Sequence, residues 1–454
     1  MDFIQTVIAF VVTLGVLVTI HEWGHFIVAR LCGVKVLRFS VGFGKVLFSR
    51  EDKKGTEFAL AAIPLGGYVK MLDEREGDVD PAQKHMAFNN KNVWQRIAIV
   101  AAGPAVNLIF AVLVYWMLFV SGVSVVAPII GGLEENSVAE HAQLPIGAEI
   151  VGLDGQSIHS WQDVNLALAS RIGESGGLTV KVKGGEGNES FHVSQYTLQL
   201  ERWNVDLENQ SPINALGLIP FRPNMPAVLA NIAADGQARS AGLLEGDKVV
   251  SISGRSISTW RELVEEVQAS PQLPLIFEVE RDNSILKISI TPAQKKLESG
   301  RIVGYIGTGV VAPQWPPEML RLRQLSVGEG LVAGAQRTWK MMTLTLDSIK
   351  KMFEGIISVK NLSGPITIAK VASASAESGF EAYLGFLAYL SISLGILNLL
   401  PIPMLDGGHL FYYAIEVIRR KPVSERIQGI GLRIGMALLF GMMSIAMFND
   451  LMRL

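Results

Sequence analysis

The 454-residue sequence contains very little cysteine and little charge. Cys32 is the only cysteine, which excludes an internal disulfide and a cysteine-based zinc site; we expect it to be an unreactive small residue at a helix end. Charged residues make up 18% of the chain, against about a quarter in soluble domains. The net charge is −2 and no basic block occurs, so we expect no nucleic-acid partner.

Apolar residues are abundant and concentrated in four stretches. A bilayer-spanning helix needs roughly 20 residues, and residues 3–31, 97–120, 382–400 and 427–448 are long enough. The first stretch lacks the basic start and the small-residue cleavage site of a signal peptide, so we expect it to be retained. The sequence therefore predicts a polytopic α-helical membrane protein with four transmembrane helices embedded in a lipid bilayer.

The Lys and Arg residues outside these stretches predict the orientation. They are frequent in the loop 32–92 and in the short loop before residue 427, whereas the termini carry few. The positive-inside rule then places both loops in the cytoplasm and both termini outside. The long segment between the second and third spans would also lie outside.

Alternating residues follow the first span. Residues 34–47 and 57–70 alternate in polarity around a polar turn, which predicts a β-hairpin or small sheet beside the membrane. Gly42, Gly44, Gly66 and Gly67 allow bulges or close backbone approach there.

The outer segment contains an internal repeat that aligns without a gap. Gly147 corresponds to Gly246 and Trp161 to Trp260. Each copy predicts a strand (149–153, 248–252), a glycine turn, a second short strand and an amphipathic helix. The pattern resembles PDZ domains, which are α+β, and predicts two in tandem at residues 122–220 and 221–312. They would either dock substrate or cap the membrane site.

Residues 313–381 connect this repeat to the third span. Residues 327–359 have helical periodicity, with lysines among the apolar positions, and predict an amphipathic helix at the membrane surface. Packing on the repeats is the alternative. The residues around Asn361–Pro365 would end this helix.

The first span carries the motif His21-Glu22-Trp23-Gly24-His25. On a helix, the two histidines four residues apart share a face and can bind one metal ion. Glu22 is placed to accept a proton from a water molecule that the metal activates. Ionisable residues inside an apolar helix are costly and typical of functional sites. The alternative is a helix end whose polar side chains reach interfacial water.

A catalytic zinc site takes three protein ligands and keeps one position open. The third predicted ligand is Asp406, where the third span reaches the same membrane side as His25. Pro401 and Pro403 break the helix there, and irregular backbone at membrane depth is tolerated where it is buried or lines a cavity. His409 is an alternative ligand, and a simple Asp-Gly-Gly turn is another interpretation.

These two motifs together, His21–His25 and Asn398…Pro401…Asp406-Gly407, resemble those of the site-2 protease family. The resemblance implies His21, His25 and Asp406 as Zn²⁺ ligands and Glu22 as general base. It also implies that Asn398 contacts substrate or stabilises the transition state, that Pro401 contacts substrate, and that the sheet around Gly42, Gly44 and Gly67 pairs with an unwound substrate. Residues 361–366 match a further family segment.

The resemblance also implies a location and substrates. The chain would lie in a bacterial inner membrane, with both termini and the PDZ domains periplasmic and the active site toward the cytoplasm. Its substrates would be transmembrane proteins: a single-pass anti-sigma factor shortened by an earlier cut, or remnant signal peptides.

Two other classes of function remain open at this point. One is a membrane-anchored PDZ scaffold with a structural or inactive metal site, although structural zinc sites usually have four protein ligands and three are evident here. The other is a metal-ion transporter that uses His21, His25 and Asp406 in transit.

Overall fold

The computed structural model describes residues 3–184, 192–207, 210–296, 301–310 and 315–453. Within these ranges, four helices are long and apolar enough to cross a membrane, as the sequence predicted. They are α1 (Phe3–Leu31), α2 (Val93–Ser121), α10 (Phe380–Leu399) and α12 (Glu425–Met452). These helices and the sheets described below fit a polytopic membrane protein.

The predicted hairpin forms two long antiparallel strands, β1 (Val36–Glu51) and β2 (Glu57–Met71). The hairpin folds back on itself, because residues 38–41 pair with 67–70 on one side and with 57–60 on the other. Residues 57–60 also pair with 48–51. Gly42, at a φ of +93°, lies where the register shifts, and a Cβ there would lie 2.9 Å from two backbone oxygens. The result is a small sheet with residues 67–71 along one edge.

The sheet packs against the C-terminal half of α1. Phe26 and Ala29 of α1 are buried with Val36 and Phe39 of β1 and with Ile99 of α2. Two short 3₁₀ helices, Pro81–Met86 and Phe88–Asn90, lead to α2. Helix α2 begins with a capping box between Asn92 and Gln95, which satisfies its first backbone N–H groups.

The segment between α2 and the next long helix begins and ends in one two-stranded sheet. Strand β3 (Val123–Val126) directly follows α2 and pairs antiparallel with β18 (Leu320–Arg323), which precedes the next long helix. Val126 lies opposite Leu320. The chain therefore leaves and re-enters the membrane part at one place.

The first repeat has its own buried core, which includes Ile150, Leu168, Leu178 and Leu198. Its central sheet has the strand order β6-β5-β7-β8. Its elements are β4 (Ile130–Leu133), α3 (Val138–His141), β5 (Glu149–Leu153), β6 (Gln156–Ser157), α4 (Trp161–Ala169), β7 (Gly176–Lys183), β8 (Val193–Leu200), α5 (Pro212–Ala215) and β9 (Leu218–Pro220).

The second repeat has the equivalent sheet order, β12-β11-β13-β14, around a core that contains Phe277 and Val279. The strands and helices that the repeat predicted are thus present in both copies. Its elements are β10 (Leu229–Ala230), α6 (Gln237–Ser240), β11 (Lys248–Ile252), β12 (Arg255–Ser256), α7 (Trp260–Ala269), β13 (Leu275–Arg281), β14 (Ser284–Ile290), β15 (Ala293–Lys296), β16 (Ile302–Tyr305) and β17 (Gly309–Val310).

Helix α8 (Val327–Phe353) follows β18 and contacts both the membrane helices and the first repeat. Gly330 and Gly334 lie against the C-terminal part of α2, near Trp116. On its other side, Arg337 donates to Asp163 (2.8 Å) and Lys351 donates to the Ser170 carbonyl oxygen (2.7 Å). The helix ends six residues earlier than the sequence predicted, and its position at a membrane surface stays a prediction.

The chain then turns toward the last spans. A 3₁₀ turn (Val359–Asn361) precedes α9 (Pro365–Glu377), whose start is held by Asp450 of α12 through the backbone N–H groups of Gly364 and Ile366. After α10, residues 400–405 form an irregular link, as the two prolines predicted. Helix α11 (Asp406–Arg419) begins at the candidate ligand.

Candidate metal centre

The two histidines of the α1 motif are buried on one face of the helix. His21 and His25 are each 8% exposed, and their rings meet edge to face with centroids 4.8 Å apart. Their Nε2 atoms are 3.2 Å apart. Trp23, on another face, is half exposed. The spacing i, i+4 therefore aims both imidazoles at one point.

Asp406 reaches the same point from α11. Its Oδ2 lies 3.2 Å from Nε2 of His21 and 3.5 Å from Nε2 of His25. Among the described residues, these three side chains form a group that could hold a metal ion. His409, the alternative ligand, lies one helical turn further along α11 and is exposed.

The spacing of the three ligand atoms suits zinc. A tetrahedral zinc ion with bonds of about 2.0–2.1 Å separates two ligand atoms by about 3.3–3.4 Å. The three observed separations lie within about 0.2 Å of that range. Oδ2 of Asp406 is buried and has no hydrogen-bond partner among the described residues, although an unsatisfied buried oxygen is costly. The donor set and its geometry thus fit a zinc ion with three protein ligands.

Helix α2 forms the wall behind the imidazoles. Nδ1 of His25 lies 2.8 Å from the carbonyl oxygen of Ile99, which can only accept a hydrogen bond. The proton of this ring is therefore on Nδ1, and Nε2 carries the lone pair that a metal requires. Gly103 faces both rings: an added Cβ would overlap Nε2 of His25 and lie 2.9 Å from Cε1 of His21.

Asn107 contacts the other imidazole from the same wall. Its Nδ2 lies 3.2 Å from Nδ1 of His21, and its side chain is fully buried. Sequence reasoning missed Ile99, Gly103 and Asn107. An asparagine within an apolar span was the available signal, because polar side chains in membrane helices are rare and usually functional.

Glu22 lies between the metal centre and the sheet. Its carboxylate interacts with both histidines and Asp406, and accepts a hydrogen bond from the backbone N–H of Val69. Gly67 permits this approach, since a Cβ there would lie 3.3 Å from Cγ of Glu22 and 2.7 Å from the Ser40 carbonyl oxygen. Gly42 and Gly44 lie in β1 at positive φ. Among these three glycines, Gly67 is the one that the structure brings next to Glu22.

Asn398 and Pro401 precede the third ligand. Asn398 is half-buried in the last turn of α10, and Pro401 is exposed at the start of the irregular link. Gly407 follows the ligand, and a Cβ there would overlap the carbonyl oxygens of residues 399 and 400. The link therefore folds tightly over the start of α11.

The far part of α11 is anchored to α2. Arg96 donates to both carboxylate oxygens of Glu416 (2.6 and 3.2 Å), and its guanidinium lies over the ring of Tyr413 at 4.9 Å. Bidentate arginine–carboxylate pairs restrict geometry strongly. Helix α11 is thereby fixed on the helix that backs the two histidines.

Comparison with known proteins gives full-length matches. An Escherichia coli (strain K12) protein named "Regulator of sigma-E protease RseP" is 43% identical over 455 residues, covering 100% of both chains. A Vibrio cholerae protein named "Putative zinc metalloprotease" is 42% identical over 453 residues, and "Protease RseP" of Yersinia pestis is 43% identical over 454 residues, each again covering 100% of both chains.

The family match covers nearly the whole chain. The sequence profile of Peptidase family M50 matches residues 9–442, which include His21, His25 and Asp406. Since both the profile and the relatives extend over all four membrane helices, the chain belongs to peptidase family M50, the site-2 protease family.

Proposed function

We propose that this chain is an intramembrane zinc metalloprotease that hydrolyses peptide bonds in or near the transmembrane segments of single-pass membrane proteins. The observation that carries the proposal is the convergence of His21, His25 and Asp406 from two helices, with separations suited to a tetrahedral ion. An acidic residue, Glu22, lies beside this group.

The chain's own groups have distinct roles in this reaction. Zinc, when bound, lowers the pKa of a water molecule to about 7 and polarises a carbonyl group. Glu22 accepts the proton of the attacking water and passes it to the leaving amine. The amide of Asn398 donates a hydrogen bond to the oxygen that gains negative charge, which is a strong effect in a water-poor site. Pro401 contacts the bound peptide.

The small sheet would prepare the substrate. A helical peptide bond is shielded by its own hydrogen bonds, and strand addition would extend it for attack. Residues 67–71 form a sheet edge, and Gly67 lies against Glu22. A peptide paired along this edge at Gly67 would therefore lie close to the general base, and Gly42 and Gly44 are proposed to line the same substrate-binding sheet.

The two repeats are proposed to be periplasmic PDZ domains, at residues 122–220 and 221–312, in a bacterial inner-membrane protein. Five of the relatives are named for regulation of sigma-E. The proposed regulatory substrate is accordingly a single-pass anti-sigma factor whose outer domain has already been shortened. Remnant signal peptides are the second proposed class. The repeats would exclude substrates with bulky outer domains.

One substitution tests the enzymatic proposal. Glu22→Gln keeps the size of the side chain and removes the base, so we expect normal zinc content and at least a 10²-fold loss of cleavage, a roughly typical effect of losing a general base. The assay uses a substrate with one transmembrane segment, in detergent, with metal analysis of the same sample. Glu135→Gln, at an exposed position in the first repeat, is the matched control.

The outcomes separate the candidate functions. Full cleavage by Glu22→Gln would refute the protease mechanism. A protein that binds zinc but never cleaves would indicate a scaffold, whereas zinc flux into vesicles would indicate a transporter.

A further inference from the structure

Asn107 is a buried polar residue that the proposed mechanism does not use. It lies in the middle of α2 and is 0% exposed. Its backbone carbonyl oxygen accepts a hydrogen bond from the hydroxyl of Ser391 on α10, at 2.9 Å. The side chain of Asn107 is directed toward His21.

The two ends of the Asn107 amide have different environments. Nδ2 lies 3.2 Å from Nδ1 of His21, whereas Oδ1 is buried and has no hydrogen-bond partner among the described residues. An NH₂ group can only donate, so in this orientation Nδ1 of His21 accepts and the ring proton is on Nε2. That proton points into the group formed with Asp406, whose Oδ2 is 3.2 Å away.

A metal ion at this group requires the other tautomer. Nε2 of His21 can bind a metal only with a free lone pair, and the proton must then be on Nδ1. The opposite amide orientation fills the same volume and places Oδ1 next to Nδ1. It supplies the acceptor that this proton needs, and it gives the unpartnered oxygen a donor.

We infer that Asn107 is a positioning residue for the metal centre, whose side-chain oxygen holds His21 in the tautomer that coordinates through Nε2. Residues 99, 103 and 107 follow one stripe of α2, four residues apart. Ile99 fixes the tautomer of His25 through its carbonyl oxygen, Gly103 leaves room for both rings, and Asn107 fixes His21. Partners of this kind typically change metal affinity by about 10–100-fold when they are removed.

The inference rests on the proposed metal site, and metal affinity tests it directly. The full-length protein in detergent competes for zinc with a chromophoric chelator. Asn107→Leu keeps a similar volume but cannot accept a hydrogen bond, and we expect its zinc affinity to fall about 10–100-fold. Asn107→Asp, which keeps an acceptor at this position, should lose much less zinc affinity than the roughly 10–100-fold expected for Asn107→Leu.

Two further variants complete the test. Ser391→Ala removes the hydrogen bond to the Asn107 backbone and leaves its side chain in place, so zinc affinity should not change. If Asn107→Leu does not fold, Asn107→Ala carries the same expectation. Cobalt(II) loading gives an independent readout, since the visible spectrum of a tetrahedral site should change with Asn107→Leu and be retained with Asn107→Asp.

The results distinguish this inference from the proposed function. If the unchanged protein binds no zinc, the proposed function itself fails. If it binds zinc and Asn107→Leu binds equally well, only the role of Asn107 is refuted. Equal weakening by Asn107→Asp and Asn107→Leu would also overturn the inference, because an acceptor would then not be what His21 requires.

Discussion

Gly103 shows how little space separates α2 from the two imidazoles. Alanine would normally stabilise a helix by about 1 kcal/mol relative to glycine. Here, however, its Cβ would overlap the ring of His25. The imidazoles would have to move, and the separations that suit a metal ion would change. At this position, the space that the two imidazole rings need matters more than the higher helix propensity of alanine.

We therefore expect Gly103→Ala to lower zinc affinity at least about tenfold, because displaced ligands bind a metal more weakly. The measurement is chelator competition on the purified protein. Gly15→Ala is the matched control, since a Cβ at Gly15 of α1 meets nothing within 4 Å. Unchanged zinc affinity in Gly103→Ala would contradict the claim that Gly103 leaves the space that both imidazoles need.

At the residue scale, the sequence predicted the metal ligands that are related by local spacing or that are unusual residue types at their positions. His21 and His25 are related by helical spacing, and Asp406 is a lone acid next to two prolines. Asn107 and Ile99 were not predicted, because their partners lie 86 and 74 positions away along the chain. A backbone carbonyl also leaves no signal in the residue types.

Single elements of the two repeats depend on similar buried contacts. Asp247 precedes β11 and is 1% exposed. It accepts two hydrogen bonds of 2.7 Å from Arg281 at the end of β13, and one of 2.9 Å from the Leu244 N–H. Burial alone would raise the pKa of Asp247, but these hydrogen bonds outweigh it and hold the pKa below the ordinary value.

This pair predicts how the second repeat responds to pH. Because the carboxyl pKa is lower in the folded than in the unfolded state, its contribution is present above the unfolded pKa of about 3.9. It is lost as the pH falls through the folded pKa. Asp247→Asn should destabilise this repeat by about 1.5–3 kcal/mol at pH 7, since it removes the charge-assisted hydrogen bonds from Arg281.

Hydrogen exchange of β11 and β13 in the full chain measures this effect, and the difference from the unchanged protein should shrink below about pH 4. Asp282→Asn is the control, an exposed carboxylate next to the same arginine that should change stability by less than about 0.5 kcal/mol. A pH-independent difference would show that Asp247 acts through something other than its charge.

The elements themselves were largely predictable, because alternation and helical periodicity are local properties. The strands 149–153 and 248–252 were predicted at their observed bounds. Pairings between distant elements were not. The contact of β3 with β18 joins residues almost 200 positions apart, and nothing in either short strand indicates its partner. The packing of α8 on α2 depends on Gly330 and Gly334. A helix at a membrane surface could contain the same glycines, so they did not indicate this contact.

At the scale of the molecule, the segment that contains the two repeats lies between two paired strands, β3 and β18. Val126 and Leu320 are opposite one another, so residues 127–319 can be replaced by Asn-Gly, which favours a tight two-residue hairpin turn. If the repeats exclude bulky substrates, the excised chain should cut a substrate that retains its outer domain, at a rate close to that for the shortened substrate.

The intact chain, tested with both substrates, provides the reference. The excised chain carrying Glu22→Gln should cut neither. Excision that leaves the discrimination between the two substrates unchanged would show that selection occurs within the membrane part, and the repeats would then need another role.

The pairing of β3 with β18 also determines how the two repeats are connected to the membrane helices. β3 continues from α2, and β18 leads into α8, which packs on α2. Any movement of the segment between these two strands would therefore pass through α2, the helix whose residues Ile99 and Asn107 contact the two metal-binding imidazoles. A shift of that helix would change the positions of His21 and His25.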